Sequence, residues 1–334
     1  MFTELTKKQQ YEQTRAGLMT ERSSFDAHWQ ELATYLRPRR TRFMVTDRTK
    51  GDRRNQNIID NTPLQAARTL QSGMHAGLTS PARPCFRLTT PDASLAEFPP
   101  VKEWLHLVTT RMLTVFLRSN LYNALPTLYG DMAVFGTAAM SVLEDGEDLM
   151  RCYCYPLGSY AIGLDGRGRA NTFVRDYIMT VRQLVETYGR TGTNRRFIDW
   201  SRFSQTVRNA WDRGNYESPI EVSWIVQPND GADDSKLYAK DRLPFTSCHF
   251  ERGGDEGTFL RESGFAHFPI LAPRWDVTAE DTYGTDCPGM TALGDVKGLQ
   301  IMQRRKAQAI DKAINPPLVG PPQLRQQKTS LLPG

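Results

Sequence analysis

No stretch of the 334-residue sequence approaches the ~18 consecutive apolar residues that a membrane-spanning helix needs, so no transmembrane helix is expected. The opening residues, Met1-Phe2-Thr3-Glu4-Leu5-Thr6-Lys7-Lys8, carry no apolar run behind the lysines, and no standard secretory signal is expected. Cysteine is scarce, and its count of five is odd, which argues for reduced thiols in a cytosolic setting rather than a disulfide framework. The phosphate-cradling pattern G-x-x-x-x-G-K-[ST] is missing, and Gly51 after Lys50 runs in the wrong order for it. No dinucleotide fingerprint replaces it, since Gly163, Gly166 and Gly168 read as turn glycines between strands. H-E-x-x-H and G-x-S-x-G are absent as well. Cys152-x-Cys154 puts two thiols on one face of a strand, and Cys248-His249 is a second pair. Buried inert thiols account for both more simply than a metal site does. Asp145, Glu147 and Asp148 cluster in a hairpin turn, where solvated acids are ordinary. No catalytic residue, metal or cofactor is assigned.

What is present is globular. Hydrophobic residues at 39% and charged residues at 24% exclude wholesale disorder, and the length suits about two domains of ~150 residues. The net charge of +5 hides an uneven distribution. Residues 37–54 hold Arg37, Arg39, Arg40, Arg42, Arg48, Lys50, Arg53 and Arg54 against Asp47 and Asp52, a net of +6. Residues 297–334 hold Lys297, Arg304, Arg305, Lys306, Lys312, Arg325 and Lys328 against Asp311, also +6, so the remainder carries −7. Such basic segments suit phosphates or an acidic partner; solvated, mobile stretches are the plain alternative.

Hydrophobic spacing organises the chain. Phe25, Trp29, Leu32, Ala33 and Leu36 predict a helix that Ser23 or Ser24 caps and Pro38 stops. Residues 39–57 lose periodicity and are expected to form an arginine-rich loop or mobile arm, too dense in charge to pack in a core. A second helix starts at Asp60-Asn61-Thr62-Pro63, with Leu64, Ala67, Leu70, Met74 and Leu78 on one face. Its Gly73 and Gly77 permit close helix packing, and Cys85–Leu88 reads as a short strand. Helices are expected over 100–118 and 121–134. Two hairpins follow, turning at Asp145-Gly146 and Asp165-Gly166. Helices near 180–188 and 199–212 and strands at 220–227, 245–251 and 259–262 complete the body. A long helix over 290–314 then ends at Asn315-Pro316-Pro317. The fold class is α+β: a helix-rich body with inserted antiparallel strands, followed by one long helix.

Three blocks of residues carry a family resemblance. They are Trp29-x-Glu31-Leu32-x-x-Tyr35-Leu36-x-Pro38; Asp60-Asn61-Thr62 with Ala66-Ala67-x-x-Leu70-x-Ser72-Gly73-Met74-His75-x-Gly77-Leu78-Thr79-Ser80-Pro81 and Phe86-x-Leu88; and Pro273-Arg274-Trp275, Tyr283-Gly284, Pro288-Gly289-Met290, Leu293-Gly294-Asp295-Val296-Lys297 and Asn315-Pro316-Pro317. The helix-to-strand step Phe135-Gly136-Thr137-Ala138 fits the same pattern. Together they resemble the portal, or head-to-tail connector, of short-tailed, podovirus-type bacteriophages.

The resemblance implies a ring of about twelve identical subunits at one capsid vertex. Its partners would be the terminase large subunit, the major capsid or scaffolding protein, tail adaptor proteins and the double-stranded DNA that passes through the channel, with no membrane. ATP chemistry would belong to the terminase. The location would be the virion's head-tail vertex, and the host cytoplasm during assembly. On this map residues 1–285 are the wing and core, with the basic arm at 37–57; 286–314 are the first stem helix; and 315–334 begin the clip. The chain is then expected to stop before the rest of the clip, a second stem helix and a crown. Lys297, Arg304, Arg305, Lys306 and Lys312 become candidates for the DNA channel. Pro316, Pro317, Arg325 and Lys328 become candidates for terminase docking, and the arginines and lysine of 37–54 for an acidic partner. Two other classes compete. A nucleic-acid-binding protein without ring assembly would bind through the two basic segments with steep salt dependence. An enzyme would need a site assembled from scattered residues.

Overall fold

The computed structural model describes residues 6–47, 51–191, 197–232, 242–255, 257–278 and 280–316. Helix α1 (Lys7–Leu36) is twice as long as the spacing of its second half predicts. A capping box starts it: Gln9 donates its backbone N–H to the Thr6 hydroxyl (3.3 Å), and the Gln9 side chain accepts from the Thr6 backbone (3.0 Å). Ser23 and Ser24 are therefore interior residues rather than caps, and each returns its hydroxyl to a carbonyl three residues back.

The strands form two main antiparallel sheets. The larger has the order β3 (Tyr160–Leu164), β4 (Ala170–Thr180), β7 (Pro219–Pro228), β8 (Phe245–Glu251), β9 (Arg261–Phe265). The smaller is β10 (Ile270–Leu271), β1 (Met140–Asp145), β2 (Leu149–Cys154). Both predicted hairpins are present, β1–β2 and β3–β4. A two-stranded piece, β5 (Arg190–Thr191) with β6 (Phe197–Ile198), lies beside the short helix α6 (Val181–Leu184) and its π turn Val185–Gly189. With α7 (Gln205–Asp212) these elements enclose a small satellite core of Val181, Leu184, Phe203, Val207 and Val222.

Alternation along the larger sheet gives it two faces. On one, Val174, Ile225, Cys248 and Phe250 meet Tyr11, Leu18 and Met19 of α1. Arg15 of α1 fixes the crossing there, donating through Nε to both oxygens of buried Asp176 (2.9 and 3.0 Å), which also accepts from Ser223. The other face carries Phe173, Trp224 and Val226 into the main core with Trp29, Leu32, Phe135, Tyr155, Tyr160 and Tyr283.

Two of the remaining helices are less well covered. Helix α2 (Thr62–Leu78) buries only Pro63, and α4 (Pro99–Arg118), which follows the short α3 (Ala93–Glu97), buries only Thr109. A Cβ built at Gly73 or Gly77 meets nothing within 4 Å, so those glycines mark no close helix contact. The strand expected at Cys85–Leu88 does not form, because among the described residues no strand lies alongside it. Leu88 donates instead to the Thr109 hydroxyl of α4 (3.3 Å), and Phe86 packs on Phe116. Helix α5 (Leu121–Phe135) and the long α8 (Pro288–Ile314) complete the order.

Candidate functional site

The resemblance blocks, far apart in sequence, converge at one junction. Helix α5 ends at Gly136, whose φ of +75° is a left-handed cap that favours glycine. The chain through Gly284 crosses it so closely that a Cβ on Gly284 would lie 2.7 Å from the Gly136 carbonyl carbon. The crossing is stitched by Gly284 N–H to the Thr137 hydroxyl (2.8 Å), Trp275 N–H to the Gly136 carbonyl (2.8 Å) and Ala138 N–H to the Pro273 carbonyl (3.1 Å). Trp29 Nε1 donates to the Phe135 carbonyl (3.1 Å), and its ring meets that of Tyr283 edge-on at 5.2 Å. The Tyr283 hydroxyl accepts from Ile162 N–H of β3 (3.1 Å). Burial holds the Tyr283 phenol above its ordinary pKa.

Helix α8 leaves this junction with Pro288 in its first turn. Gly289 next to it lies against Val134, where a Cβ would come within 2.7 Å of the Val134 Cα. Leu293, Val296 and Gln300 are buried, and Gln300 clamps the start of α2. Its Oε1 accepts from Ile59 N–H (2.7 Å) and Asp60 N–H (2.9 Å), and its Nε2 donates to the Asp60 carbonyl (2.9 Å). Neither Gln300 nor its role is visible in the hydrophobic pattern; a polar residue on the apolar face of α8 is the one signal.

Beyond Gln303 the helix is exposed on every side. Arg304, Arg305, Lys306 and Lys312 stand there in solvent with no ion pair among the described residues. Lys297 differs: it is half-buried and ion-paired with Glu31 of α1, so it is not a free cation. Ile310 and Ile314 are exposed on the same stretch, as are Ile301 and Met302 just before it. Pro316 is exposed. Pro317, Arg325 and Lys328 lie outside the described residues.

The basic arm departs most from expectation. Arg37 and Arg40 are packed, not solvated, because Asp131 is buried in the middle of α5 and needs cations. Arg40 Nε spans both Asp131 oxygens (3.1 and 3.2 Å), whereas Arg37 reaches one (3.0 Å). The difference shows in their basicity. Burial works against the charge of both, but Asp131 outweighs it for Arg40, whose pKa is raised. Arg37, facing Arg40 and Arg68 as well, is lowered. Arg40 and Arg42 exchange backbone hydrogen bonds with Leu157, and Arg54 pairs with Asp47. Residues 37–47 are thus tied to the body. Arg39 and Arg53 are exposed, and Arg48 and Lys50 lie outside the described residues. Arg37, Arg39, Arg40, Arg54 and Arg68 together line a cavity of about 620 Å³ between the end of α1 and α2.

Burial pushes the Cys154 and Cys248 thiols up to about 12, away from nucleophilic or metal-binding thiolate. Among the described residues no group of three His, Cys, Asp or Glu could hold a metal ion, and no helix is long and apolar enough to cross a membrane. What the fold and site define is a well-packed α+β body that presents a basic, partly apolar helix and leaves neighbouring helices uncovered.

The comparisons name the family. The profile of the bacteriophage head to tail connecting protein family matches residues 8–334, and the chain belongs to that family. It is 46% identical over 329 residues to a portal protein of Salmonella phage epsilon15, covering 98% of this chain and 57% of that one. It is 44% identical over 317 residues to a probable portal protein of Bordetella phage BPP-1, covering 95% of this chain and 55% of that one. The chain therefore spans a little over half the length of these curated relatives.

Proposed function

We propose that the chain is the wing (1–285), first stem helix (286–314) and start of the clip (315–334) of a portal subunit. Copies join head-to-tail into a ring of about twelve at one capsid vertex, where the channel passes double-stranded DNA during packaging and ejection. The terminase large subunit, the major capsid or scaffolding protein and tail adaptor proteins dock on the ring, assembled in the host cytoplasm and carried in the virion. The subunit itself performs no catalysis.

One observation carries this reading beyond family membership. From Ile301 onward, α8 exposes four cations together with Ile301, Met302, Ile310 and Ile314. Its apolar residues call for a covering surface, and the cations suit a passing polyanion. At physiological salt, screened contacts from a few such cations would let DNA slide rather than hold it. Negative-stain images and native mass spectra of the purified protein test this. Rings with a central hole are expected; a strictly monomeric species at high concentration counts against it. Charge reversal at Arg304 and Arg305 should then slow DNA packaging while rings still form. If rings fail instead, that face is a contact between subunits.

A further inference from the structure

The arginine cavity has no part in the reading so far. Its lining includes Arg37, Arg39, Arg40, Arg54 and Arg68 and no carboxylate. Asp131 neutralises one charge from behind Arg37 and Arg40, and Asp47 one at Arg54, which among the ion pairs of the described residues leaves a surplus of three positive charges. Arg39 and Arg68 at the mouth are exposed and have no ion pair among the described residues. Leu36, Leu64 and Ala67 supply an apolar floor. Guanidinium forks grip carboxylates in pairs of hydrogen bonds, and concave, partly desolvated surroundings strengthen such pairs.

The same chain carries a match. The β1–β2 turn reads Glu144-Asp145-Gly146-Glu147-Asp148. Arg151 pairs with Asp145 (2.9 Å) and Asp148 (3.6 Å), so the turn keeps a surplus of three negative charges. Glu144 and Glu147 are exposed without an ion pair among the described residues. Leu149 beside them is 67% exposed, and its φ of +67° is a strained conformation for a leucine. The opposite end of the hairpin, at Cys154, lies near Arg40 and Asp131. The turn is five residues further along, about 17 Å at strand rise, so it points away from the cavity of its own chain.

We propose that the arginine cavity receives the β1–β2 turn of a second copy of this chain, with Glu144 and Glu147 on Arg39 and Arg68 and Leu149 toward the apolar floor. The contact is heterologous, one surface against a different one, as ring closure requires. It rests on the connector reading, which supplies the second copy. Duplex DNA is the poorer occupant, because its phosphates ride on a convex rod and these guanidinium groups sit in a hollow.

Charge exchange in the full chain tests this. R39E/R68E and E144R/E147R, each placed at exposed positions, should each weaken self-association about tenfold or more by sedimentation at low salt, close to 1.4 kcal/mol. The variant carrying all four changes should regain it, which a misfolded protein would not. Failure of the combined variant to recover overturns the contact. Rings that form in R39E/R68E with wild-type salt tolerance also overturn it, and they leave the connector reading standing. A wild-type chain that never self-associates defeats both. A short single-stranded oligonucleotide is titrated in parallel. Binding that R39E/R68E loses while self-association stays intact would give the cavity to nucleic acid and refute the proposal.

Discussion

The sheet body and the helical flank of this molecule are built to different standards. The body buries Trp29, Phe135, Tyr160, Phe173, Phe250 and Tyr283 almost completely, and its crossings are fixed by side-chain hydrogen bonds. The flank has comparable helical length and little cover. Twenty residues of α4 bury one threonine and leave Trp104 61% exposed, with Leu107 and Leu117 also in solvent. Helix α8 belongs to both regions, anchored through Gln300 and bare afterwards. Apolar burial drives folding at about 25 cal/mol per Å², and soluble monomers seldom leave large apolar patches uncovered. The contrast teaches that the body buries its large apolar side chains within one chain, whereas the flank leaves apolar surface that the described residues do not cover.

The largest expected effect breaks the body. Tyr283→Ala removes a ring that touches Trp29 and Phe25 and orphans the Ile162 N–H, and should cost about 4 kcal/mol in urea unfolding. A loss below about 1 kcal/mol would mean that the junction does not hold the fold together. Next is Asp131→Asn, which leaves Arg37 and Arg40 packed against a neutral amide. Breaking a buried ion pair typically costs ~3 kcal/mol, and partial exposure of Arg40 brings this toward ~2 kcal/mol. Residues 37–47 should then become the first site of limited proteolysis. Wild-type protection there would show that the arm is held by other contacts.

Acid sensitivity sharpens the same contrast. His249 of β8 stacks on Trp224 at 5.4 Å and faces Tyr188 of the π turn. Burial first, then Arg261 of β9 and Arg175 of β4, hold its pKa down at about 3. The folded protein keeps it neutral while the unfolded chain protonates near pH 6.5. Its contribution to stability is therefore present above pH 6.5 and lost as pH falls toward 3. In His249→Gln the pH slope of stability across that window should shrink by up to about one proton; an unchanged slope would place the acid sensitivity in the carboxylates. The smallest effect belongs to the flank. Leu107→Ser on α4 should change monomer stability by less than about 0.5 kcal/mol, yet lower the yield of rings. A large loss of monomer stability would show that α4 packs within its own chain.

The legible parts of the sequence were those with strong local grammar. Asp145-Gly146 and Asp165-Gly166 announced two hairpins, and the apolar spacing around Trp29 announced the second half of α1. The first half offers only Tyr11, Leu18 and Met19 among polar and small residues, a stripe too thin to read without the sheet it covers. Cys85–Leu88 misled because strand-like composition does not supply a neighbouring strand. In the site, the basic character of α8 is legible directly, but which of its cations is paired is not, since Lys297 meets Glu31 whereas Arg304, Arg305, Lys306 and Lys312 have no ion pair among the described residues. Asp131, Glu31 and Gln300 were not. Each matters only through residues between 91 and 266 positions away, and nothing local marks a carboxylate or amide as the anchor of a distant segment.

The central claim, that copies of the chain complete the flank, is tested most directly by hydrogen exchange. The protein is followed peptide by peptide in dilute solution and in the assembled state that native mass spectra define. The account predicts that α4 and the exposed half of α8 gain protection on assembly, while β4, β7 and β8 exchange equally slowly in both. Rings in which α4 and α8 exchange at monomer rates would contradict it.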